Sequence, residues 1–331
     1  MIIELHLLQS FPVSNLNRDD LGQPKTATFG GHLRARISSQ SLKRAARLLF
    51  KDYGLDQSDI GIRTRLIVDS TTAQLVEAGR DADEARRVVV AGLWKLGFGY
   101  DEAKKSTQYL LYVGRHAPEV LAGYCNTDWD KLKTEADAAA AAAAKKKAAK
   151  KEPGERDSKP ASKPKLLKGS LEFEAAKNLL SATRAVDIAC FGRMIADNAD
   201  FNVSAASQVA HALSTHAVVT EYDYFTAVDD LNPEGETGAG MIGTLDFNTA
   251  CYYRYANLDL DQLQRNLDGD AALTGRTVSV WLKAFIDAVP GGKQNSTAAL
   301  TPPQTLLAVI RDRGSWNLAN AFLEPVTGAT S

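Results

Sequence analysis

Between residues 21 and 51 the chain carries seven basic side chains, Lys25, Arg34, Arg36, Lys43, Arg44, Arg47 and Lys51, and no carboxylate. The background has the opposite sign. The whole protein has 39 Lys and Arg against 40 Asp and Glu, a formal net charge of -1. The stretch from Lys145 to Lys168 alone holds ten basic and three acidic residues, which leaves 29 basic and 37 acidic residues elsewhere and a net charge of -8 there. A solvated helix face normally mixes both signs, because pairs at i,i+4 relieve self-repulsion. Cations without acids, set at several depths, can instead follow a phosphodiester chain. Gly30 and Gly31 allow close backbone approach, and a helix capped by Ser38 or Ser39 offers main-chain N–H groups to an anion. The chemistry expected is polyanion binding.

Other patterns lose on context. GAGMIG, residues 238–243, matches a dinucleotide-binding string, but a polar proline-containing loop precedes it and an alternating strand follows, where a strand and a helix are required. His211 and His216 are five apart on a segment that reads as a helix, so their side chains diverge by ~140°. Cys125, Cys190 and Cys251 have no metal-ligand spacing and form no disulfide framework. Asp19-Asp20 and Asp229-Asp230 read as turn and solvation residues. No catalytic residue, metal or cofactor is expected.

The elements that must hold the basic stretch are legible. IIELHLL predicts a strand. SQSLKRAARLLFKDYG predicts a helix with Leu42, Ala45, Ala46, Leu49 and Tyr53 on its docking face, the cations on its flank and back, and Gly54 at its close. Residues 63–182 are mainly helical, interrupted by an Ala/Lys then Pro/Lys tract with no apolar face. RAVDIACFGRM reads as a strand and ASQVAHALSTHAV as a helix. YDYFTAVDD and IGTLDFNTACYYRYAN form two hairpin arms, with Leu245, Phe247, Cys251, Tyr253 and Tyr255 on one face of the second and Asp246, Asn248, Tyr252 and Arg254 on the other. The sum is an α+β core with insertions. MIIELHLLQSFP lacks a basic leader and no run is long enough to span a bilayer, so a cytoplasmic protein without membrane association is expected.

LHLLQSFPVSNLNRDDLGQPKTATFGGHLRARISSQSLKRA, AVDIACFGRM, DYFTAVDDL, FNTACYYRYANLDL and NLANAFLEP together resemble the CasC family, the backbone subunit of the type I-E CRISPR Cascade complex. The resemblance implies an RRM-like (ferredoxin-like) palm, 1–55 and 183–331, that includes a β-hairpin thumb at 217–257. It implies a helical finger insertion at 56–182, in which the low-complexity linker spans 134–168. By that resemblance Arg18, Lys25, Ser38, Gln40, Lys43, Arg44 and Arg47 contact the RNA backbone, and Gly30, Gly31, Arg34, Arg36 and Ser39 belong to the same basic stretch. Met194 would lie at an RNA kink, and Tyr224, Phe225 and Thr226 would reach over the next copy's RNA. The linker has no counterpart in the family pattern, and the chain stops soon after NLANAFLEP, where that pattern continues with a helical segment.

The implied activity is binding without turnover: copies stack head to tail on CRISPR RNA and support R-loop formation with target DNA in antiviral defence. Implied partners are CasA, CasB, CasD, CasE and a recruited helicase-nuclease. Glu221 to Glu236 holds six acids and no base, which suggests that Asp229 and Asp230 engage basic residues of an adjoining copy. Two other classes remain open, a metal-dependent ribonuclease using Asp19, Asp20 or Asp187, and a DNA-binding protein that needs no guide.

Overall fold

The computed structural model describes residues 1–149, 166–195, 199–228 and 239–327. In chain order it holds β1 (Ile2–Ser14), β2 (Thr26–Phe29), β3 (His32–Ile37), α1 (Ser39–Leu49), β4 (Ile62–Thr64), α2 (Ile67–Glu77) and α3 (Ala82–Lys95). Then come β5 (Tyr100–Asp101), β6 (Ser106–Thr107), β7 (Leu111–Val113), α4 (Ala117–Thr127), α5 (Trp129–Ala149), α6 (Leu171–Leu179) and α7 (Val186–Phe191). The last are β8 (Ser207–Val209), β9 (Ala212–Ser214), β10 (Glu221–Val228), β11 (Ala239–Asp259), α8 (Leu260–Asn266), α9 (Ala271–Asp287), α10 (Gln294–Thr297) and β12 (Thr305–Arg311). The fold is mixed α+β. Two compact units form, one from 1–55, 205–265 and 269–331, the other from 56–204 and 266–268.

The first unit is built on an antiparallel sheet ordered β12-β1-β11-β9-β3-β2, with β8 and β10 also paired to β11. One face of β1 and β11 is closed by α9. Arg254 is fully buried there, donating to the Phe285 and Ile286 carbonyls and to Gln9, and Trp281 bonds Ser207 at 3.1 Å. Burying side chains such as Trp281 and Phe285 stabilises the unit by ~1.5–3 kcal/mol each. On this face of β11 Tyr252 and Arg254 lie inside, and α9 satisfies the guanidinium with carbonyls. The opposite face carries Glu4, His6, Tyr253 and Tyr255 beneath the C-terminal segment. There Glu4 accepts from the Tyr255 hydroxyl at 2.8 Å, the Trp316 amide at 2.6 Å and Arg311.

The second unit has its core in α2, α3, α4 and α6, with Ile67, Leu75, Val88, Leu93, Leu121 and Leu179 buried. Asp81 caps α3 through the Glu84 amide and Ser170 caps α6 through that of Phe173. β4 pairs antiparallel with β7, aligning Arg63 with Tyr112.

Two local expectations are corrected. RAVDIACFGRM contains helix α7, whose Val186, Ile188, Ala189 and Cys190 are all buried; a short apolar run fits either period, and burial on every side removed the distinction. ASQVAHALSTHAV is not a helix. It forms β8 and β9, which pair with β11, and β9 also pairs with β3, so sheet pairing overrides the local helical pattern. His211 and His216 thus do not share a helix. β12, drawn from the apolar run TLLAVIR, had no sequence expectation at all.

Candidate nucleic-acid interface

The basic stretch folds as a hairpin followed by a helix. β2 and β3 are joined at Gly30 and Gly31, both left-handed at φ +61° and +79°, which suits a two-residue hairpin turn. Gly30 is also a contact point within the chain, because a Cβ there would lie 1.8 Å from the Leu323 carbonyl oxygen. Its lack of a side chain serves the C-terminal segment, whereas Gly31 faces open space. The Asn17–Lys25 loop folds onto this hairpin: the Lys25 amide donates to the Asn17 carbonyl at 3.0 Å and the Arg36 amide to that of Lys25 at 2.8 Å. Asn17 Oδ1 takes the Ser38 amide at 2.7 Å.

Ser38 caps α1, its side chain accepting from the Ser41 amide. No acid occupies the first turn, so nothing offsets the positive end of the helix. The Ser39 amide donates to Nδ1 of His211 at 2.8 Å, while the amide of Gln40 finds no acceptor among the described residues. Only a neutral ring can accept that bond. Consistently, burial, then the charges of Arg36 and Lys25, hold His211 below the ordinary histidine value. His211 therefore belongs to the basic site, and the helical misreading of its segment hid it.

Around this helix start the side chains divide. Arg18, Gln40 and Arg44 are exposed, and Lys25, Arg36, Ser39, Lys43 and Arg47 are half-buried. Arg18, Lys25, Arg36, Lys43 and Arg44 form no ion pair among the described residues, and Nε of Arg36 is buried without an acceptor. Burial also lowers Lys43 from the usual lysine value, the electrostatic cost of a cation held ready for an anion.

Arg34 is a correction. Its side chain is fully buried and donates to the carbonyls of Ser214, Phe322 and Leu323 at 3.2, 2.9 and 3.0 Å and to that of Phe29. Four of its five N–H donors are thus engaged by main-chain carbonyls.

Of the hairpin residues, Tyr224 is 63% exposed and Thr226 is exposed. Phe225 lies over its cross-strand partner Gly243, where a Cβ would sit 2.5 Å from Cζ, an arrangement in which an aromatic ring covers a strand glycine. Asp229 and Asp230 lie outside the described residues. Met194 belongs to the second unit and is 83% exposed. Asp19 accepts from the amides of Leu21 and Gln23 in its own loop, and buried Asp187 accepts from the Gly61 amide at 2.7 Å. Among the described residues no three of His, Cys, Asp and Glu gather as a metal-holding group, and no helix is long and apolar enough to cross a membrane.

The comparisons agree on one class of protein. A chain of a solved structure described as "CRISPR RNA-guided surveillance complex, pre-nicking" is 33% identical, with a TM-score of 0.77 over 100% of this chain and 84% of that one. A second, described as "CRISPR RNA-guided surveillance complex", is 26% identical with a TM-score of 0.56, over 100% and 77%. No curated protein matches the chain significantly. The model of the CT1975-like protein family matches residues 3–331. With its capped, acid-free helix and unpaired cations set in the fold of those complexes, this chain belongs to the CT1975-like family.

Proposed function

We propose that the protein is an RNA-binding scaffold, the CasC-type backbone subunit of a type I-E CRISPR surveillance complex, in the cytoplasm. The observation that carries this reading is the start of α1. There, Arg36 and Lys43 are half-buried without an ion-pair partner among the described residues, and the cations Arg36 and Lys25 lie close enough to His211 to lower its value. Such a site grips ribose-phosphate by charge and geometry and leaves the bases unread, as a guide whose sequence varies requires. Base pairing then supplies the choice of target, as in RNA-guided effectors of another type.

In this reading copies stack head to tail along the CRISPR RNA, each hairpin reaching over its neighbour's RNA with Tyr224, Phe225 and Thr226. The RRM-like description of the sheet unit, the CasA, CasB, CasD, CasE and helicase-nuclease partners, and R-loop support all follow from the same family likeness. The protein acts by binding and carries out no reaction. Purified protein mixed with labelled CRISPR RNA and a divalent metal should retard the RNA and leave it intact. Cleaved RNA would instead identify a metal-dependent ribonuclease, and tight duplex binding before RNA is added would identify a DNA-binding protein without a guide.

A further inference from the structure

The helical unit carries a second concentration of cations that the α1 site does not include. Arg63 on β4 sits opposite Tyr112 on β7, its guanidinium carbon 4.6 Å from the ring centroid. Tyr112 packs with Ala182 and Ala185, which bracket the exposed Arg184. Arg184 lies close enough to His116 for its charge, after burial, to hold that imidazole below its ordinary value, against the opposing pull of Glu119. Arg115, next in sequence to His116, is exposed.

The same neighbourhood is tied to Met194. Buried Arg193 donates to the carbonyls of Tyr112, Leu180 and Phe201 at 3.1, 2.6 and 3.0 Å, so the residue after it, the exposed Met194, leaves the surface from this anchor. None of Arg63, Arg115 and Arg184 forms an ion pair among the described residues. Three guanidinium groups without ion pairs among the described residues, one over an aromatic ring and one within charge reach of an imidazole, on the unit that also exposes Met194, suit one kind of ligand. Guanidinium forks hold phosphate oxygens, Arg63 is pre-oriented by its ring, and an apolar side chain at the edge can part stacked bases.

We propose that Arg63, Arg115 and Arg184 form a second phosphodiester-binding surface, on the helical unit, that takes a single nucleic-acid strand. The inference rests on the reading above for the class of ligand and on none of the α1 residues for its place. The strand is either the guide or the complement paired to it, and the shared chemistry is the backbone.

The test measures affinity at several salt concentrations for two probes, a CRISPR RNA alone and that RNA annealed to complementary DNA. The proteins are full-length wild type, Arg63→Ala/Arg184→Ala, Arg115→Ala/Arg184→Ala, which leaves β4 untouched, and Lys43→Ala/Arg44→Ala. Each patch double variant should lose roughly tenfold in affinity and lower the salt slope by roughly 1.4, two single-strand contacts. Loss with RNA alone assigns the guide; loss only with the annealed probe assigns the complement. Wild-type affinity and slope in both patch variants, alongside a clear loss in Lys43→Ala/Arg44→Ala, overturns the inference and leaves the α1 reading standing. Loss in the patch variants with none in Lys43→Ala/Arg44→Ala does the reverse.

Discussion

The main-chain N–H of Ser39, at the first position of α1, is held by Nδ1 of His211 at 2.8 Å across 172 residues of chain. Burial and the cations Arg36 and Lys25 lower the His211 value, so the neutral form is favoured in the fold. Because the folded value lies below the unfolded one near 6.5, the contribution is fully present above about pH 6.5 and is lost as pH falls through the folded value. His211 should titrate below the ordinary range by proton NMR, with faster exchange of the Ser39 amide below that midpoint. A midpoint at or above the ordinary range would show that the bond does not form.

Lys43→Ala and Arg44→Ala should each weaken RNA binding nearly uniformly across spacers and lower the salt slope by roughly 0.7–1. Titrations against two unrelated guides at several ionic strengths decide it. A defect confined to one guide would place these side chains against bases.

Arg34→Ala should act on stability first. It removes the donor to four carbonyls and leaves a cavity, and each acceptor left buried and unpaired is expected to cost ~1–3 kcal/mol. Denaturant unfolding measures it. Arg34→Lys should recover little, since one ammonium cannot span the acceptors that a planar fork reaches. An unchanged midpoint with lost RNA binding would return Arg34 to the interface.

Gly30→Ala and Gly31→Ala both place a side chain at positive φ, so both carry a penalty of ~1 kcal/mol. Gly30→Ala meets in addition the Leu323 carbonyl, 1.8 Å from its Cβ, and must push the C-terminal segment away. The first variant should unfold at clearly lower denaturant than the second. Equal midpoints would mean that the close approach of Gly30 contributes nothing.

Acid should loosen the C-terminal segment. Burial alone would raise the Glu4 carboxyl, but hydrogen bonds from Arg311, the Trp316 amide and Tyr255 outweigh it and hold it below its ordinary value. The stabilisation is therefore present above the unfolded carboxylate value, about 4.3, and is lost as pH falls through the lower folded one. Amide exchange at Trp316 should accelerate in that window in wild type, and already at neutral pH in Glu4→Ala. Protection that is indifferent to both changes would remove Glu4 as the anchor.

How much of this was legible depends on where the information sits. The uninterrupted cations, the Ser38 cap and the docking residues Leu42 and Ala46 are local, and the sequence displayed them. The class of fold and the two hairpin arms were legible for the same reason. Arg34 was misread because its partners, Ser214, Phe322 and Leu323, lie about 180 and 290 residues away, and a buried arginine looks like an exposed one in a string. His211 was missed because the pairing of β9 with β3 and β11, which no local periodicity encodes, decides its place beside Ser39. Arg63 and Arg184 lay in segments of unremarkable charge, and the pairing of β4 with β7 that sets Arg63 over Tyr112 is not encoded locally.

The contact of Gly30 and Arg34 with Phe322 and Leu323 also bears on how the molecule comes into being. A ribosome delivers the turn and its guanidinium 288 and 289 residues before two of their carbonyl partners. A nascent chain still tethered at residue 300 holds Arg34 without the Phe322 and Leu323 carbonyls that accept from it, so the guanidinium keeps its water until those two residues emerge.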